Sequence, residues 1–113
     1  MMIIKLYRAM SKDEYNILTS KGFQTTFKAK DKFFVDDPKY IFDRIWCSKT
    51  FNNLNVKDNY AYLISVDVEF INGFKPKIIK HGNYNVIILR KSQLNKAYKI
   101  HNIKLISILS TKY

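Results

Sequence analysis

Apolar and polar positions along this chain fall into short blocks, and each block predicts one element. Ile3-Ile4-Lys5-Leu6-Tyr7-Arg8 is apolar, β-branched and too short for a buried helix, so it reads as a strand ending on Arg8. Ser11 follows as an N-cap, with Glu14 three residues on. That is the spacing of a capping box: the serine oxygen takes one free helix N–H and the glutamate reaches back to another. Asp13 sits near the positive end of the helix dipole, and Tyr15, Ile17 and Leu18 supply an apolar stripe. Gly22 ends the helix, with Lys21 in its last turn.

Phe23 to Lys32 is a polar, basic connection with room for a short strand over Phe23–Phe27, and Lys32-Phe33-Phe34-Val35 reads as a strand. Asp37 then fits an N-cap and Pro38 the first helical position, where a missing N–H costs nothing. Ile41, Phe42, Ile45 and Trp46 lie on one helical face, so a second helix is expected from Pro38 to Cys47. Ser48 to Asn59 is turn-like.

Tyr60 to Phe70 is the clearest strand. Ile64, Val66, Val68 and Phe70 fall on one side, and Ser65, Asp67 and Glu69 on the other, the alternation of a half-buried strand. Asn72-Gly73 is expected to close a hairpin, with Lys75-Pro76-Lys77-Ile78-Ile79 returning as an edge strand. His81-Gly82-Asn83 is another turn, and Tyr84–Leu89 is a near-continuous apolar strand of the sheet centre. Arg90 to Asn95 is a polar turn or a single helical turn capped by Ser92, and Lys99–Leu109 is a last strand. The order predicts an α+β fold: a single domain over residues 1–113, with a mixed, mostly antiparallel sheet and two N-terminal helices packed on it.

Composition sharpens this picture. The 113 residues are 47% hydrophobic and 15% aromatic, enough for one core without a metal or disulfide. Seventeen lysines and three arginines bring the formal net charge to +11. Such a surface attracts an anionic macromolecule, whether RNA, DNA or an acidic protein, although a Lys-, Asn- and Ile-rich composition also follows from an AT-rich genome. One cysteine, Cys47, cannot form an internal disulfide, and it falls at the end of an apolar helix face as a core residue would. With no signal-peptide pattern and no apolar run near the ~20 residues that span a bilayer, a cytoplasmic protein without membrane contact is expected.

Candidate chemistry is sparse. His81 and His101 have no ligand spacing around them, and the three glycines stand singly, so neither a metal site nor a phosphate loop is expected. Arg8 at a strand end suits bidentate capture of a phosphate. His81 and Tyr84 beside a turn suit proton transfer on RNA, though such a pair is more often a surface histidine and a half-buried tyrosine, and Asp67 and Glu69 share one strand face as paired carboxylates or, more often, partners for lysines. Lys28, Lys30 and Lys32, interleaved with Phe27, Phe33 and Phe34, suit a strip for single-stranded nucleic acid; the aromatics suit a core better.

Leu6-Tyr7-Arg8 and then Lys32-Phe33-Phe34-Val35-Asp36-Asp37-Pro38-Lys39-Tyr40 resemble small, toxin- or phage-type members of the ADP-ribosyltransferase superfamily, over roughly residues 3–45. The resemblance implies NAD as cofactor, Arg8 on its phosphates, and Phe34 and Tyr40 lining the nicotinamide pocket. Val35, Asp36 and Asp37 stand where that family has a hydroxyl cluster, and Asn83-Tyr84-Asn85 lacks its glutamate. One branch of that superfamily, the RNA 2′-phosphotransferases, works without that glutamate and uses Arg and His on the RNA phosphate and cofactor; if the resemblance extends to it, Arg8, His81 and Arg90 would play similar roles in this shorter chain. Three functions are therefore expected. The first is an ADP-ribosyltransferase-like domain of toxin, phage or defence type. The second is a non-catalytic immunity protein, antitoxin or inhibitor. The third is a metal-independent ribonuclease toxin.

Overall fold

A computed structural model of the chain describes residues 2–22, 31–42 and 60–108. Six strands form one sheet: β1 (Met2–Ser11), β2 (Asp31–Val35), β3 (Tyr60–Phe70), β4 (Lys77–His81), β5 (Tyr84–Arg90) and β6 (Tyr98–Ile108). Their order across the sheet is β4-β5-β2-β1-β3-β6, and each of these pairings is antiparallel. One helix, α1 (Lys12–Lys21), follows β1 directly.

The expected pair of N-terminal helices is corrected by this arrangement. The fold is dominated by an antiparallel sheet, and among the described residues α1 is the one long helix. From Pro38 there is a helical turn over residues 39–42, opened as expected by Asp37, whose Oδ1 accepts the Lys39 N–H at 2.9 Å. The rest of that predicted helix, with Cys47, lies outside the described residues, as do Lys28, Lys30, the strand expected over Phe23–Phe27 and the turn-like 48–59 stretch.

The helix start behaves half as predicted. Ser11 Oγ accepts the Glu14 N–H at 3.1 Å. The Glu14 carboxylate turns to Arg8 and Lys32 instead of the cap backbone. At the other end Gly22 adopts φ 90°, a conformation costly for any residue with a Cβ, and its N–H closes on Leu18 O at 3.0 Å.

The Asn72-Gly73 turn is real, with φ of 52° and 71° and a bond from Phe74 N–H to Ile71 O at 3.0 Å. It does not close the expected hairpin. β3 pairs with β1 and β6, while β4 lies at the far edge beside β5. The hairpin of this region is β4–β5, joined by Gly82-Asn83 with Gly82 at φ 62°, as a two-residue turn with glycine first requires. β5 is an interior strand, but the centre of the sheet is β2 and β1. Ser92 lies inside the short 3-10 turn Lys91–Gln93 and does not cap it.

The sheet has two unequal faces. The inner face, under α1, carries the main core: Leu6, Met10, Phe34, Val66, Leu89 and Tyr98 among others, with Leu18 of α1 set into it. Tyr15 of α1 stacks on Tyr62 of β3, ring centroids 4.3 Å apart. The outer face has a smaller cluster of Val35, Leu63, Val86 and Ile41, with Tyr7, Ala9 and Tyr40 packed against it. The sheet also curls. β5 and β6 stand four places apart, about 19 Å at ~4.8 Å per strand if flat. Yet the Tyr98 hydroxyl on β6 donates to the Arg90 carbonyl at the end of β5 at 2.8 Å. The two ends of the sheet therefore approach each other around the inner core.

Candidate functional site

Arg8 was expected at the mouth of a strand. β1 instead continues to Ser11, because Ala9 and Met10 still find partners in Leu63 and Tyr62, and Arg8 lies in its interior opposite Ile64. Its side chain points to the inner face beneath α1. Nε and Nη2 donate to the two Glu14 carboxylate oxygens at 2.8 and 2.9 Å, Nη1 donates to Phe33 O at 3.0 Å, and the guanidinium lies 5.9 Å from the Phe34 ring centroid. Lys32 Nζ adds a third contact to Glu14 at 3.0 Å. Burial works against the Glu14 charge. The Arg8 hydrogen bonds and the charges of Arg8 and Lys32 outweigh it and hold this carboxyl below its ordinary value.

This network determines what Arg8 can do. The group that would grip a cofactor phosphate already holds a carboxylate bidentately, and a phosphate would have to displace Glu14 from between two cations. Phe34 is fully buried in the inner core, whereas Tyr40 packs on the outer face. Arg8, expected on the cofactor phosphates, and Phe34 thus lie together on the inner face, while Tyr40, expected with Phe34 at the nicotinamide, is divided from them by the thickness of the sheet.

The other grouped residues separate as well. His81 and Tyr84 face each other across the β4–β5 turn, and Tyr40 packs between them, 6.0 Å from the His81 ring and 5.3 Å from the Tyr84 ring. Arg90 lies at the other end of β5, six residues and roughly 20 Å from Tyr84 at ~3.3 Å per residue. Arg8, His81 and Arg90 do not meet. Lys32, placed above in a nucleic-acid strip, is buried against Glu14. Among the described residues no group of three or more His, Cys, Asp and Glu gathers as a metal would need, and no helix is long and apolar enough to cross a membrane.

Most of the described acidic residues have a partner within the fold. Glu69 bonds His101 Nε2 at 2.8 Å and Asp67 accepts from Asn102 Nδ2 at 3.0 Å, across the bulged β3–β6 pairing. Asp36 accepts from Asn85 Nδ2 at 2.9 Å, and Asp37 caps the 39–42 turn. The lysines are distributed oppositely. Every described lysine except Lys32 is exposed, and among the described residues Lys32 is the one lysine in an ion pair. Among the described residues the exposed lysines therefore stand without an acidic partner.

One aromatic side chain stands among these cations. Phe33, on the outer face of β2, is 54% exposed, in a lateral row with Ile88 of β5 and Lys77 of β4. Arg90, one strand over and two residues along, is held loosely by Asp31 at 3.7 Å. The sequence grouped Phe33 with Phe34 because an unbroken Phe-Phe-Val run hides which ring faces inward. Lys77 was seen only as an edge-strand lysine. Compared with protein-family models, curated proteins and solved structures, the chain matches none.

Proposed function

We propose that this chain is a non-catalytic binding module that captures nucleic acid through its lysine-coated surface. The observation that supports this reading is the uneven use of charge. The described lysines other than Lys32 face water without an acidic partner, while the Glu14 carboxylate is held between Arg8 and Lys32 inside the fold. A polyanion supplies the missing counter-charge and releases its own condensed ions on binding. The internal engagement of Arg8 by Glu14 weighs against an enzyme built on that arginine.

The test is fluorescence anisotropy with a labelled single-stranded RNA over a salt series. Affinity should fall steeply, each contacted phosphate contributing about −0.7 to the slope of log K against log salt. Reversing Lys75, Lys77 and Lys80 to Glu should flatten the slope and weaken binding. Absence of binding at about 50 mM salt, or a slope near zero, overturns the proposal.

A further inference from the structure

We infer that the outer face around Phe33 is a stacking platform for an unpaired base, so that the nucleic acid captured is single-stranded; this rests on the binding function proposed above. Phe33 is the described aromatic that combines high exposure with an interior strand and cationic neighbours. Phe42, at 45% exposure, lies on the 39–42 turn instead. A side chain on this face of the strand projects out from the sheet, and Phe33 keeps over half of its surface open to solvent.

Its surroundings are pinned. The Phe33 carbonyl is held by Arg8 Nη1 at 3.0 Å, and the Arg90 carbonyl by the Tyr98 hydroxyl at 2.8 Å. Both hydrogen bonds come from the inner side, so the backbone beneath ring and guanidinium is ordered before any ligand arrives. Preorganisation of this kind lowers the ordering cost of binding. It also gives Arg8 and Tyr98 a role as positioning residues.

Charge complementarity names the occupant. Arg90 lies diagonally beside the ring, and Lys77 lies two strands away, about 10 Å at ~4.8 Å per strand. Lys75 and Lys91, both exposed, continue the positive surface from the neighbouring strand ends. Asp31 is the acid of this patch, and its 3.7 Å approach to a 57% exposed Arg90 leaves the guanidinium able to turn to a phosphate. An acidic peptide would satisfy the cations but would leave the ring without a flat partner. A duplex would satisfy the cations too, but its bases are already stacked on one another. A single strand satisfies both: phosphates on Arg90 and Lys77, and one base over Phe33.

The experiment compares a labelled single-stranded oligouridine with a labelled RNA duplex, by anisotropy at one fixed salt, for the wild type, Phe33→Ala, Phe33→Leu and Phe33→Tyr. Phe33→Ala and Phe33→Leu should weaken single-strand binding by about 5- to 150-fold, the range of one lost base–aromatic stack. Duplex binding and the salt slope should stay unchanged, and Phe33→Tyr should retain single-strand affinity. Leu keeps the apolar bulk, so it separates loss of the ring from disturbance of the sheet, and melting curves confirm that each variant is folded. Equal affinity of Phe33→Leu and wild type for the single strand overturns the platform and leaves the binding function standing. Equal weakening on both RNAs also overturns it. Failure of the wild type to bind either RNA removes the binding function itself.

Discussion

Replacing Glu14 with Gln should be among the most damaging single changes of a polar residue in this chain. The Glu14 side chain is 15% exposed and lies between an Arg8 side chain at 19% and a Lys32 side chain at 5%. Gln keeps the shape and loses the charge, so two cations are left facing one another under α1. Removing one partner of a buried pair costs about 3–5 kcal/mol, and the residual access of water to Arg8 and Glu14 puts this case near 3 kcal/mol. In a domain of this size that corresponds to a fall in Tm of roughly 12–18 °C. The assay is urea unfolding at a series of pH values. The folded-state pKa of Glu14 is below its ordinary 4.5, so its contribution is complete above that value and is lost as pH falls through the folded one. Wild type and Glu14→Gln should therefore differ most near neutrality and converge in acid. Stabilities at pH 7 within about 0.5 kcal/mol, the range of ordinary surface substitutions, would refute the view that this carboxylate fastens α1 to the sheet.

Two further outcomes follow from the fold. Tyr98→Phe removes the bond that draws the ends of β5 and β6 together and strands the Arg90 carbonyl, and should cost about 1–2 kcal/mol in the same unfolding assay. Burial raises the Tyr98 pKa, so the wild type should lose stability as pH climbs past 10.0, and the Phe variant should lack that part of the alkaline decline. Gly82→Ala meets no atom within 4 Å, so its cost is backbone strain alone at φ 62°, about 1–2 kcal/mol, visible as a lower urea midpoint; Gly82→Asn should cost less.

The local elements were legible in the residues because local rules suffice for them. Ser11 and Gly22 bracket α1, Asp37 and Pro38 open a helical turn, and the alternation from Ile64 to Phe70 assigns two faces to β3, all within a few residues. An excess of lysine over acid is likewise written in the composition. The tertiary structure decided everything that depends on which strand lies beside which. Nothing local tells Phe70 to pair with Tyr98 rather than fold back through Asn72-Gly73, since that turn satisfies its own hydrogen bond with either partner. Nothing local shows that Glu14 will reach Arg8 and Lys32 from a helix laid across two strands, which converts the one conspicuous arginine from a ligand-gripping group into an internal tie. The run Phe33-Phe34-Val35 is apolar throughout, so only its register against β5 and its contact with α1 and β1 determine that Phe34 is sealed inside and Phe33 stands out. Sequence spacing determines the period of a strand; which of its two faces meets water depends on what the rest of the chain lays against it.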